Sequence, residues 1–122
     1  MRTSNGINWV VAVIGVWEAL APFILGYSQV NAAVWNAVIV GIAFIIFAVW
    51  SALSNNPTTV RTLDWINVVL GAWLIFAPFV LGYSIIVVAM WNAIIVGIIV
   101  AALEIWAALS VGTGTPVSGD YE

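Results

Sequence analysis

The sequence predicts an all-α membrane protein: four transmembrane helices arranged as two tandem, parallel-repeat helical hairpins. Three observations carry this expectation. Hydrophobic residues make up 65% of the 122-residue chain and charged residues 6%, with a mean hydropathy of +1.19. An average soluble domain is roughly a quarter charged, and so small a chain keeps too much surface to hide this apolar content from water. Second, the apolar residues fall into four long runs. Third, a shift of 56 residues aligns Asn8–Ser54 with Asp64–Ser110 without a gap and with 23 identities in 47 positions, which marks a tandem duplication.

The first run, Ile7–Leu25, is 19 residues long. At 1.5 Å per residue it makes a helix of about 28 Å, close to the ~30 Å of a bilayer's hydrocarbon. It ends in "WEALAPFILGYS", where Pro22 removes an N–H from the helix and Gly26-Tyr27-Ser28 reads as a turn. A signal-peptide reading of this run fails, because Pro22 would follow the cleavage site and the segment recurs internally. The second run, Ala32–Leu53, carries Ala33, Ala37 and Gly41 four residues apart. That spacing places them on one helix face, smooth enough for close backbone approach within the chain or between subunits.

The third run, Leu63–Leu81, repeats the first, with "WLIFAPFVLGYS" holding Pro78. Pro22 and Pro78 are expected to kink and end their helices. Asp64 is expected to cap the third helix, as Asn8 caps the first. The fourth run, roughly Ile85–Leu109, carries Ala89, Ala93, Gly97 and Ala101 on one face. Asn36 and Asn92, each beside a tryptophan, either cap their helices or bond across the bundle. Residues 1–110 are thus read as one domain, with repeats at 8–54 and 64–110, and residues 111–122 as a flexible tail. Because each repeat holds two spans, both enter from the same side, related by an axis along the membrane normal. Arg2 and Arg61 share that side, which the positive-inside rule makes cytoplasmic, together with both termini.

Four of the eight tryptophans, Trp9, Trp35, Trp65 and Trp91, stand at helix starts, where indoles anchor at headgroup level. Two acids, Glu18 and Glu104, lie inside apolar runs and on faces expected to point into protein. Each is a candidate intramembrane proton or cation site, or else a neutral carboxyl bonding a neighbouring helix. Their repeat mates are Leu74 and Ala48, so neither belongs to the shared scaffold.

Composition also excludes functions. Histidine and cysteine are absent, which removes the usual ligands of haem, iron–sulfur, copper and zinc. No cofactor is predicted beyond a bound lipid or pigment. No basic patch exists to meet nucleic acid, and no nucleophile–base pair or phosphate loop suggests an enzyme. The expected partners are membrane lipids, other membrane subunits or further copies of the chain.

The pattern Trp9…Gly15-x-Trp17…Pro22-x-x-Leu25-Gly26 and then Trp35-Asn36…Gly41, present twice, resembles the SPW-repeat family of small bacterial and archaeal membrane proteins. The Ser-Pro-Trp triplet of that name stands here as Ala21-Pro22-Phe23 and Ala77-Pro78-Phe79. The resemblance covers residues 8–110 and implies a fold and a place in the prokaryotic plasma membrane, but no reaction. The expected role is that of an accessory subunit, packing through its small-residue faces into a larger complex or homo-oligomer. The alternative is a small channel or carrier working through Glu18 and Glu104.

Overall fold

The computed structural model describes residues 3–111. Arg2 and the expected flexible tail lie outside them, apart from Val111. Among the described residues the chain forms four helices: α1 (Thr3–Ile24), α2 (Asn31–Leu53), α3 (Pro57–Val80) and α4 (Val87–Ser110). Each is long and apolar enough to cross a membrane, and the chain is a multi-pass membrane protein. α1 packs chiefly on α2 and α3 on α4, while α1–α4 and α2–α3 contacts close the bundle.

Each hairpin is held by backbone approach at a glycine pair. A Cβ on Gly41 would lie 2.7 Å from Ala19 N and from Gly15 O, and one on Gly97 would lie 2.5 Å from Gly71 O. Ala33, Ala37, Ala89 and Ala93 are buried along the same faces, and Ala101 is half-buried against Gly71. The smooth faces are therefore occupied inside each hairpin, which leaves them no surface for another subunit.

The two turns are built alike. Pro22 and Pro78 sit in the last helical turn of α1 and α3. Leu25 N donates to Ala21 O and Tyr27 N to Pro22 O, matched by Leu81 N to Ala77 O and Tyr83 N to Pro78 O. This is a helix-terminating motif that needs a left-handed residue at its C′ position. Gly26 and Gly82 supply it, with φ of 87° and 81°.

Helix α3 begins six residues before the apolar run, at Pro57, because Asn56 caps it: the Asn56 side chain accepts from Thr58 N and Thr59 N. Proline at the first helical position is pre-organised for a start there. Asp64 is therefore not the cap; it lies two turns inside the helix and is fully buried. Asn8 likewise sits inside α1, which starts at Thr3. The tryptophans Trp9, Trp50, Trp65 and Trp106 are exposed towards the termini end and Trp35 and Trp91 towards the turn end.

Candidate functional site

Two polar layers interrupt the apolar interior, one near each end of the bundle. The layer at the turn end is written twice. Trp73 Nε1 donates to Asn36 Oδ1 at 2.7 Å, and Asn36 Nδ2 donates to Tyr83 Oη at 3.0 Å. Its mate is Trp17 Nε1 to Asn92 Oδ1 at 3.0 Å, with Asn92 Nδ2 to Tyr27 Oη at 3.2 Å. In each triad the tryptophan and tyrosine come from one repeat and the asparagine from the other, so the amide stitches the repeats together. The tyrosines pack on Ala33 and Ala89 beneath the turns. Burial pushes the Tyr83 phenol up to about 12 and raises that of Tyr27 as well.

Glu18 joins only one triad: Asn92 Nδ2 donates to Glu18 Oε1 at 2.9 Å, and the carboxyl is 1% exposed. Leu74, its mate, is fully buried in the corresponding place.

The layer at the termini end is not duplicated. Asn8 Nδ2 donates to Asp64 Oδ1 at 2.9 Å and to Ser51 Oγ at 3.2 Å, and Ser51 Oγ donates to Asp64 Oδ1 at 2.7 Å. Asn8 and Asp64 are repeat mates, and mates related by a two-fold axis meet only beside that axis. Asn67 Nδ2 donates to Glu104 Oε2 at 2.9 Å, and the Asp64 carboxyl is nearby in the same layer. All five side chains are buried with no exposure. The Asn5 side-chain amide closes this end by donating to the Ala52 carbonyl, and Arg61 donates to Val111 O at 2.7 Å.

Between the layers, Val11, Val40, Phe44, Val96 and Val100 fill the interior, each at most 5% exposed. Glu18 stands ten residues beyond Asn8 on α1, about 15 Å along the axis.

A model of the SPW repeat domain matches residues 5–107. The chain belongs to that family. No curated protein and no solved structure matches it. The SPW unit explains which residues recur: Trp17/Trp73, Tyr27/Tyr83 and Asn36/Asn92 are the cross-repeat triads. Of the two acids singled out by sequence, the structure places Glu18 and Glu104 in different layers and does not bring them together. Of the two roles open to Asn36 and Asn92, the bonds across the bundle are the ones found; α2 and α4 have no side-chain cap. Sequence reasoning missed Asn67 as the donor to Glu104, and the buried Asn8–Ser51–Asp64 cluster in the same layer. The available signal was Asp64-x-x-Asn67, two polar residues on one face of a span. An open groove of about 330 Å³ between α2 and α3, lined by Trp50, Thr58, Thr62 and Ile66 among others, faces outward at the termini end.

Proposed function

We propose that this SPW-repeat protein is a non-catalytic accessory subunit of the prokaryotic plasma membrane, contributing its outer surface to a larger membrane assembly. The observation that carries this reading is the apolar plug of Val11, Phe44 and Val100 between the two polar layers. A proton or ion path needs polar groups or water at hydrogen-bond spacing, and from the level of Asn67, the mate of Val11, to Glu18 an interval of seven residues, about 10 Å, is filled by aliphatic and aromatic side chains. A channel through a single bundle is therefore disfavoured, whatever the acids do locally. The outer surface is apolar all round, with exposed side chains such as Val13, Ile39, Val69 and Ile95, and the small-residue faces are already occupied. Any partner is thus met by large aliphatic side chains and tryptophans, not by the alanine and glycine faces. The groove at Trp50 and Thr58 suits a lipid, the one bound molecule this reading expects. Arg61 at the termini end supports cytoplasmic termini.

The test is the native mass of the complex extracted gently from its own membrane, with its constituents identified. Other proteins recovered in fixed proportion are the expected result. A homo-oligomer or a lone chain would overturn the accessory role.

A further inference from the structure

The groove between α2 and α3 opens outward at the termini end, with a volume of about 330 Å³. That is close to the lower end for ligand sites, about 300 Å³, and fits a segment of an acyl chain rather than a whole lipid. Its lining changes with depth. Helix α3 has 24 residues, about 36 Å at 1.5 Å each, which exceeds the ~30 Å of hydrocarbon. Thr58 and Thr59, in its first turn, therefore stand at the level of headgroups and ester linkages, and Ile66 lies about 12 Å deeper than Thr58. Phe47 of α2 and Ile66 make the deeper, apolar wall. Trp50, 54% exposed, stands nearer the end of α2, where an indole meets the interface.

The lining is also neutral: no charged side chain is among its described residues. A helix start ordinarily attracts phosphate through its open N–H groups, but here those groups are taken. Pro57 has none, Asn56 Oδ1 accepts from Thr58 N and Thr59 N, and Val60 N donates to Asn56 O. The neighbouring Arg61 guanidinium donates to Val111 O, and Thr62 Oγ1 donates to Thr58 O. What the wall offers is the hydroxyls of Thr58 and Thr59 and the indole N–H of Trp50, which are neutral donors. In a bilayer the neutral acceptors at that depth are the ester carbonyls of glycerolipids.

We propose that this groove binds a membrane glycerolipid, with one acyl chain against Phe47 and Ile66 and its ester carbonyl accepting from Thr58 or Thr59. The site reads the ester level of the lipid and not the charge of its headgroup. This rests on the lipid reading of the groove given above, and it holds for the chain alone, whatever its protein partners.

Native mass spectrometry of the full chain in detergent, delipidated and then given one synthetic lipid at a time, tests this. The probes are dioleoyl phosphatidylethanolamine, dioleoyl phosphatidylglycerol and the diether analogue of the first. One retained ester lipid is expected, with the two headgroups held about equally. The diether, which lacks the carbonyl, is expected to bind about fivefold more weakly, the equivalent of one neutral hydrogen bond. Thr58→Val combined with Thr59→Val keeps the shape and removes the hydroxyls, so ester and diether then bind alike. Ile66→Phe fills the groove and is expected to weaken binding about tenfold, whereas Val10→Phe, at the exposed repeat mate of Ile66, leaves it unchanged. No retained lipid, the outcome if a partner helix or the chain's own tail fills the groove, would overturn the proposal. So would a strong preference for phosphatidylglycerol, or equal retention of ester and diether by the unaltered chain. Because the purified chain is used, failure here leaves the accessory role to the native-mass test.

Discussion

The two ends of the bundle use the duplication in opposite ways. At the turn end the same Trp–Asn–Tyr triad is made twice, each asparagine bonding into the other repeat. At the termini end the mates have diverged: Asn8 faces Asp64, Asn67 replaces the type of Val11, and Glu104 stands where the first repeat has Ala48. A residue required by both copies serves the shared scaffold. A residue present in one copy only is no part of what the two repeats share. Glu18 is the intermediate case, an acid added to an otherwise complete triad.

The comparison rests on a bundle that stays closed, and its hardest test is Gly41→Leu or Gly97→Leu. Backbone atoms at 2.7 Å and 2.5 Å from the new Cβ cannot move aside as side chains do. Overpacking of this kind costs about 3 kcal/mol or more, and loss of the monodisperse folded species in detergent is the expected readout. Next come the triads. Asn36→Ala strands the Trp73 donor and removes the amide donor to Tyr83 Oη, at about 1–3 kcal/mol. Asn92→Ala is expected to cost more, because Glu18 loses its donor too; equal losses in thermal midpoint would show that Glu18 is no part of the triad.

Swapping in the mate's residue separates the two acids. Glu104→Ala leaves Asn67 and Asp64 facing a void and is expected to destabilise by about 1–3 kcal/mol. Glu18→Leu copies the packed Leu74 solution and is expected to be neutral or stabilising. Reversal of that order would remove the distinction between the ends. The smallest effect is at alkaline pH. The Tyr83 phenol ionises near 10.0 when unfolded and at about 12 in the fold. The unfolded chain therefore loses its proton first, and stability is full below pH 10 and falls as pH rises towards 12. Tyr83→Phe is expected to flatten that fall at a cost of about 1 kcal/mol at neutral pH.

Much of this was open to inspection in the sequence. The turns followed from Pro22-x-x-x-Gly26 and its copy, since only glycine accepts the left-handed residue there at no cost. The spans followed from hydropathy, although α3 began at Pro57 because a good cap and an N1 proline outweigh the polarity of Thr58–Thr62. Asp64 misled for a related reason. Beside an apolar run an aspartate reads as a cap, yet once the helix starts earlier the same residue lies in the interior and must find polar partners. The inward direction of Glu104 could be read from its spacing to Gly97, but not the amide and acid waiting for it.

By itself, then, the sequence determined that the chain lies in a membrane, crosses it four times in two like-oriented hairpins, and bends back at Gly26 and Gly82. Those features depend on local composition, period and backbone freedom, which act within one segment. Tertiary structure decided that the small residues meet inside each hairpin, that Asn36 and Asn92 serve the opposite repeat, and that Asp64 and Glu104 lie in one buried polar layer. Each of these depends on how far one helix slides and rotates against another, and side chains distant in sequence settle that jointly by packing and by the need to satisfy buried polar atoms.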